Sequence, residues 1–311
     1  KELHTQILRE GLQCKNDSIG NALIDMYAKC DVLSSAQKVF DLLQTRNVIA
    51  WNTLVGAYAQ HGHGDEALDH VKRMHQESLF ANPVTFLMCL KAIGSMGAVN
   101  KGIQVHVGIV KADSIEEDRM LSNALVGMYA KCGALANAKY AFDHLLDRDV
   151  VSWSSITEGY AQHGHGEKAI KLYHFMLHLN IQPDEHTHVI AMQASANMAS
   201  VTHGSGIYIH VVENGFESNL FILNAVLHMY SKCLCFDDAF TLFNMSQMHD
   251  AITWNVMLEA FVQQGSYHTT FHLFSQMKVE GLDPDTITYI NILKACSNMG
   301  ALDKVKMIHV H

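Results

Sequence analysis

Asn21-Ala22-Leu23-Ile24-Asp25-Met26-Tyr27-Ala28-Lys29-Cys30 returns as Asn123-Ala124-Leu125-Val126-Gly127-Met128-Tyr129-Ala130-Lys131-Cys132, and again as Asn224-Ala225-Val226-Leu227-His228-Met229-Tyr230-Ser231-Lys232-Cys233. The offsets are 102 and 101 residues. Trp51, Trp153 and Trp254 keep them, and Tyr58-Ala59-Gln60-His61-Gly62-His63-Gly64 recurs as Tyr160-Ala161-Gln162-His163-Gly164-His165-Gly166. A long internal period of this kind marks a solenoid, in which each unit completes its core against its neighbours.

Each period divides into units of about 31, 35 and 36 residues, every one holding two stretches of helical apolar spacing joined by a glycine-containing turn. In the 35-residue unit, Trp51, Leu54, Val55 and Tyr58 form one stripe at i, i+3, i+4, i+7, and Ala67, Leu68, Val71 and Met74 form a second. Two isolated helices cannot bury both stripes. Stacked pairs can, and the first helices then line one continuous concave face. Gly62 and Gly64 suit the end of the first helix, because glycine tolerates the left-handed backbone found there. Gln182-Pro183-Asp184 and Asp283-Pro284-Asp285 read as stops between units, since proline disfavours helix at the residue before it. Eight complete units start at Asp17, Val48, Pro83, Arg119, Val150, Glu185, Leu220 and Ala251, with partial units over 1–16 and 286–311, all in one solenoid without a linker.

The composition agrees. The 311 residues are 49% hydrophobic, with only 3 prolines and 8% aromatics, and they are rich in Ala, Leu, Met and Lys, which lose little rotamer freedom in a helix. An all-α chain is expected. Its longest apolar stretches, such as Val105 to Val110, fall far short of the roughly 20 residues that cross a bilayer, so no membrane partner is expected. Lys1 opens on what reads as the middle of a helix, which leaves the absence of a targeting sequence without meaning. With 31 acidic against 22 basic residues the net charge is -9, which argues against nucleic acid held by bulk electrostatics. Any such recognition must rest on placed groups. Of the seven cysteines, Cys30, Cys132 and Cys233 occupy one repeated position rather than forming partners, as expected in a reducing compartment.

With Met128-Tyr129-Ala130-Lys131-Cys132-Gly133 and Val150-Val151-Ser152-Trp153 in this register, the chain resembles plant pentatricopeptide repeat proteins whose motifs alternate in long, short and standard triplets. The resemblance covers essentially the whole chain. It implies a right-handed superhelical α-solenoid of helix-turn-helix repeats that binds single-stranded RNA of a mitochondrion or chloroplast, one base per repeat. Tetratricopeptide repeats also space a Trp, a Leu and a Tyr along their first helix, but a strict period of about 34 residues does not produce units of 31, 35 and 36.

In that family the fifth residue of a unit and its last residue together choose the base, an amide or hydroxyl meeting the Watson-Crick edge. The resemblance assigns the fifth position to Asn21, Asn52, Asn123, Ser154, Asn224 and Asn255, and the last to Asn47, Asn82, Asp149, Asp184, Asp250 and Asp285. All are polar, which an ordinary buried stripe would not require. Leu87, Val189 and Ile290 hold the fifth position of the long units, where an aliphatic side chain cannot hydrogen-bond a base, so these units are expected to act as spacers. Second residues such as Ile49, Val151 and Ile252 would sandwich the bases, and Lys29, Lys131 and Lys232 would approach phosphates. The family's rule gives U for Asn with Asp, G for Ser or Thr with Asp, and a pyrimidine for Asn with Asn. From the unit at Asp17 to that at Ala251 it spells pyrimidine, pyrimidine, any, U, G, any, U, U, from 5′ to 3′.

Other chemistry is weighed and set aside. Among 21 histidines, His61-Gly62-His63 and His163-Gly164-His165 offer the best metal spacing, but neither has an added cysteine or acid where zinc would need one. His75-Gln76-Glu77 and His165-Gly166-Glu167 match half of a zinc deaminase signature, while the Cys-x-x-Cys half is absent. Cys233 and Cys235, one residue apart, read as free buried thiols at a helix end. Neither a phosphate loop nor a nucleophile elbow is present. No cofactor and no catalysis are expected, although many relatives with triplet organisation carry a C-terminal editing or deaminase extension. The reading is an RNA-targeting array for organelle processing or C-to-U editing, with processing or editing factors as further partners. The rival is a protein-protein interaction scaffold.

Overall fold

The computed structural model describes residues 17–112, 118–246 and 248–299; the partial unit expected over 1–16, and the end of the one over 286–311, lie outside them. Among the described residues the regular elements are seventeen helices, with no strand. By internal contacts the chain divides into two compact units, Lys1–Gly159 and Tyr160–His311.

The first unit contains α1 (Asp17–Lys29), α2 (Leu33–Asp41), α3 (Val48–Gln60), α4 (Gly64–Gln76), α5 (Pro83–Met96), α6 (Val99–Lys111), α7 (Arg119–Lys131), α8 (Leu135–Asp143) and most of α9 (Val150–Gln162). Helices α1, α3, α5 and α7 pack side by side in chain order, and α2, α4 and α6 each pack against the odd-numbered helix before and after. The second unit repeats the plan with α10 (Gly166–His178), α11 (Glu185–Asn197), α12 (Val201–Glu213), α13 (Leu220–Lys232), α14 (Phe236–Met245), α15 (Ala251–Gln264), α16 (Tyr267–Val279) and α17 (Thr286–Met299). Here α11, α13, α15 and α17 are the side-by-side row.

Periodicity in the sequence becomes periodicity in the core. Trp51, Trp153 and Trp254 are buried, and each meets the phenylalanine of the preceding short helix edge to face, with centroids 4.6, 4.7 and 4.9 Å apart for Phe40, Phe142 and Phe243. A cation or imidazole also lies over each phenylalanine ring. Arg46 lies 5.3 Å over Phe40, Arg148 lies 5.1 Å over Phe142, and His249 stacks 4.1 Å from Phe243. The same groups bond the last carbonyls of the short helix, as Arg148 Nη2 does to Asp143 O at 2.8 Å and His249 Nε2 to Phe243 O at 2.9 Å. Each therefore closes a helix end that would otherwise leave acceptors unpaired. The hydrophobic stripes alone do not announce this three-part device.

One expected turn is corrected. Gly62 adopts the left-handed conformation after α3, with φ 79°, and so does Gly164 after α9. Gly64 instead opens α4, where a β-carbon would stand 2.6 Å from Met96 Sδ. Gly62 already supplies the turn, and Gly64 admits the next repeat. Gly159 is a stiffer case, since a β-carbon there would meet Ala130 Cβ at 2.6 Å and Ala130 Cα at 3.1 Å. Gly159→Ala would gain about 1 kcal/mol of helix propensity in isolation. We expect it instead to lower stability by about 1–3 kcal/mol, because neither contact can rotate away. A denaturant midpoint at or above that of the wild type would show that α7 and α9 have room to part.

Candidate functional site

The last residue of each proposed reading pair has a structural duty that the sequence reading did not give it. Asn47 accepts a hydrogen bond from Ala50 N at 2.9 Å, Asp149 from Ser152 N at 2.9 Å and Asp184 from Thr187 N at 2.8 Å. Asn82, Asp250 and Asp285 do the same toward Thr85, Thr253 and Thr288. Each is the N-cap of the helix that follows, satisfying an amide that the helix cannot. Asp118 and Asn219 cap α7 and α13 in the same way, although the fifth residues of their units are Leu87 and Val189. Polarity at the last position is thus demanded by the helix start whether or not a base is read.

The fifth position has no such excuse. Asn52, Asn123, Ser154 and Asn255 are buried, and Asn21 and Asn224 are half-buried, on the first helices at points where Leu87, Val189 and Ile290 show that an aliphatic also fits. The asparagines turn their amides to the caps. Nδ2 donates from Asn52 to Asn82 Oδ1 at 3.1 Å, from Asn123 to Asp149 Oδ1 at 3.0 Å, from Asn224 to Asp250 Oδ1 at 3.3 Å and from Asn255 to Asp285 Oδ1 at 3.0 Å. Ser154 spends its hydroxyl differently, on Val150 O at 2.7 Å.

Electrostatics favour the charged form of Asp250 and Asp285. The Thr288 amide, helped by the Thr288 hydroxyl and the Asn255 amide and only partly opposed by burial, holds Asp285 below the ordinary carboxyl value. Burial pushes Asp250 upward, but bonds from the Thr253 amide and hydroxyl and from Asn224 outweigh it and leave it lowered. Both remain acceptors near neutral pH.

Around the pair lies an apolar setting. Ile49, Val151 and Ile252 stand one turn or less from the caps and are 63%, 56% and 56% exposed. Val84, Met120, Phe221 and Ile287, at the same second position of other units, are exposed as well and were not singled out from sequence. Repetition of a large exposed apolar side chain at one place in successive helices is a mark of a binding face. Within the first unit a cavity of about 790 Å3 gathers Asn123, Asp149, Val151, Met120, Lys131 and Leu87. Lys131 is exposed at its edge, whereas Lys29 pairs with Asp25 at 2.8 Å and Lys232 with Glu259 at 3.6 Å. Of the set-aside groups, His61 and His63 stand near Asp31 and Glu66, at 3.4 and 3.5 Å, and Cys233 and Cys235 are half-buried rather than buried. No described helix is long and apolar enough to cross a membrane.

Known proteins carry the same pattern. Residues 148–197 and 249–298 match the PPR repeat family model, and residues 21–48, 49–79 and 221–249 match the PPR repeat model. A chloroplastic pentatricopeptide repeat-containing protein of Arabidopsis thaliana is 32% identical over 309 residues, covering 99% of this chain and 38% of its own length. A mitochondrial one from the same plant is 31% identical over 306 residues, covering 92% and 34%. The chain spans less than half the length of these relatives. Among solved structures, PPR10 in complex with an 18-nt psaJ RNA element superimposes with a TM-score of 0.77 at 20% identity, over 93% of this chain and 44% of PPR10. A further structure of PPR10, from maize, gives a TM-score of 0.65. Helix plan, repeat matches and relatives agree: the repeats are pentatricopeptide repeats, and the chain belongs to the pentatricopeptide repeat family.

Proposed function

We propose that the chain is a single-stranded RNA-binding array in which the fifth and last residues of the short and standard units select bases and the long units act as spacers. The observation that carries this is the fifth-position asparagine. Capping accounts for the last residue, and the long units, with half-buried Leu87 and Val189 and exposed Ile290 at the fifth position, show that the repeat packs without an amide there. A buried amide held against a cap beside an exposed apolar side chain is accounted for by a ligand that needs both a hydrogen-bonding edge and flat apolar faces. A nucleobase has both.

In this reading Ile49, Val151 and Ile252, joined by Met120 and Phe221, are plates between which bases insert. Lys131 approaches phosphate, while Lys29 and Lys232 are neutralised by their acidic neighbours and contribute little. Placed groups, not the net charge of -9, supply affinity, so binding should fall only gently with added salt. The triplet order of long, short and standard units, a chloroplast or mitochondrial location, and service to RNA processing or C-to-U editing carried out by other factors complete the proposal.

The test is a fluorescence titration of an RNA carrying the order pyrimidine, pyrimidine, any, U, G, any, U, U against an unrelated RNA. Preference for the first is expected; binding to neither at moderate salt would favour a protein-protein scaffold. Within the array, Ser154→Asn should move its unit from G toward U by about 1–3 kcal/mol. An unchanged G:U ratio would remove Ser154 from the reading set.

A further inference from the structure

The asparagine amides are not all held alike. In three units the oxygen of the amide also has a partner, supplied by the third residue of the following unit. Thr85 Oγ1 donates to Asn52 Oδ1, Thr253 Oγ1 to Asn224 Oδ1 and Thr288 Oγ1 to Asn255 Oδ1, each at 2.7 Å. The same hydroxyls accept from the backbone of the cap, at 3.1 Å from Asn82 N, 3.3 Å from Asp250 N and 3.2 Å from Asp285 N. Each hydroxyl has a single proton and a second acceptor within reach, the cap's own Oδ1 at 3.0 Å on Asn82, 2.8 Å on Asp250 and 2.9 Å on Asp285, and the shorter approach to the asparagine oxygen favours donation there. In two other units the third residue of the next unit is Ala50, which has no hydroxyl, or Ser152, whose hydroxyl goes to Asp149 O at 2.8 Å. There Asn21 Oδ1 and Asn123 Oδ1 are buried with no hydrogen-bond partner.

We propose that Thr85, Thr253 and Thr288 are specificity-positioning residues, each hydroxyl clamping the amide of the preceding unit's asparagine so that it offers one fixed edge to a pyrimidine. The inference rests on the base-selecting reading above. Its physical ground is preorganisation. An amide bonded at both nitrogen and oxygen has one orientation, and its remaining N–H and lone pair point in set directions. An amide bonded only through Nδ2 can pivot about that bond, because either of its two hydrogens serves the carboxylate. A base meeting the pivoting amide finds a donor or an acceptor with little preference, and ordering the amide falls to the complex.

Three units with the same Asn and Asp pair separate this clamp from the pair itself: Asn123 with Asp149 lacks it, while Asn224 with Asp250 and Asn255 with Asp285 have it. Titrating synthetic RNAs that differ only by U or C opposite one unit should give about three- to tenfold sharper discrimination at the units of Asn224 and Asn255 than at that of Asn123, the worth of one net hydrogen bond. Thr288→Val should remove that advantage at the unit of Asn255, and Thr288→Ser should restore it. Melting curves of the three proteins run beside the titrations. Thr288→Val binding that weakens equally for U and C, with an unchanged ratio, would leave the threonine as a helix cap alone and overturn the clamp. Equal discrimination at clamped and unclamped units would overturn it too, while base reading stood. Wild-type protein that distinguishes no base at any unit would overturn the base reading itself, and the clamp with it.

Discussion

Trp254→Ala is expected to lower the stability of the second unit by about 3–5 kcal/mol, the range for emptying a buried aromatic site. Trp254 is 0% exposed, lies in one cluster with Leu227, Phe243, Leu258 and Met277, and touches both Phe243 and His249. Alanine would leave a cavity where a short helix, its own helix and the next hairpin meet, and none of the three can close it alone. Its indole Nε1–H is buried without an acceptor. Trp254→Phe, which removes that unpaired donor and keeps a ring, should therefore cost much less than the alanine change. The next residue, Asn255, is the proposed base reader, so the two changes also separate core from groove. Affinity of Trp254→Ala for every RNA should fall together, with base preference intact. Thermal melts and titrations on one preparation decide it: normal melting with lost RNA binding would put the indole on the RNA and reverse the assignment of the two helix faces.

Trp254 also marks what sequence can disclose. A tryptophan repeated at fixed offsets, with apolar residues three, four and seven places on, fixes a helix and its buried side, because burial obeys the helical period. Asn255 one step later then falls on a different face. The sequence does not disclose that Asp285 also receives the Asn255 amide, nor that Phe243 and His249 complete the indole's pocket. Those relations join residues of different elements, and no period along the chain encodes them. The apolar plates illustrate the same limit. Ile49, Val151 and Ile252 came from resemblance, but Met120 and Phe221 at the same position are ordinary hydrophobic residues until their exposure is seen. The threonine clamp lay further out of reach, since Thr85, Thr253 and Thr288 already have a sufficient local reason to be there, as partners in capping.

Lowering the pH from 7.5 to 4 is expected to destabilise the second unit, with His188 a principal cause. Its ring is fully buried on α11, the Tyr173 hydroxyl lies 3.0 Å from Nδ1, Phe216 packs at 5.4 Å, and Nε2 has no hydrogen-bond partner. A protonated imidazole there would carry a charge out of water and a second N–H with nothing to receive it. Burial, joined by the repulsion of His210 and only partly opposed by Asp184, lowers the pKa from 6.5 to about 4. The unfolded chain binds a proton below 6.5 and the folded chain does not until about 4. Stability is then fully present above 6.5 and drains away as pH falls through that window, by about 3 kcal/mol in all. His174 and His228, in the same unit, are lowered by burial as well and add to the trend. His188→Phe isolates the residue, since the corresponding positions of the neighbouring long units hold Phe86 and Tyr289 and show that a neutral aromatic ring suits the site. In the variant, the difference in melting temperature between pH 7.5 and pH 5 should shrink by the share that His188 contributes. An identical acid loss in both proteins would place the proton uptake on other histidines and mean that His188 titrates alike in the folded and unfolded chain.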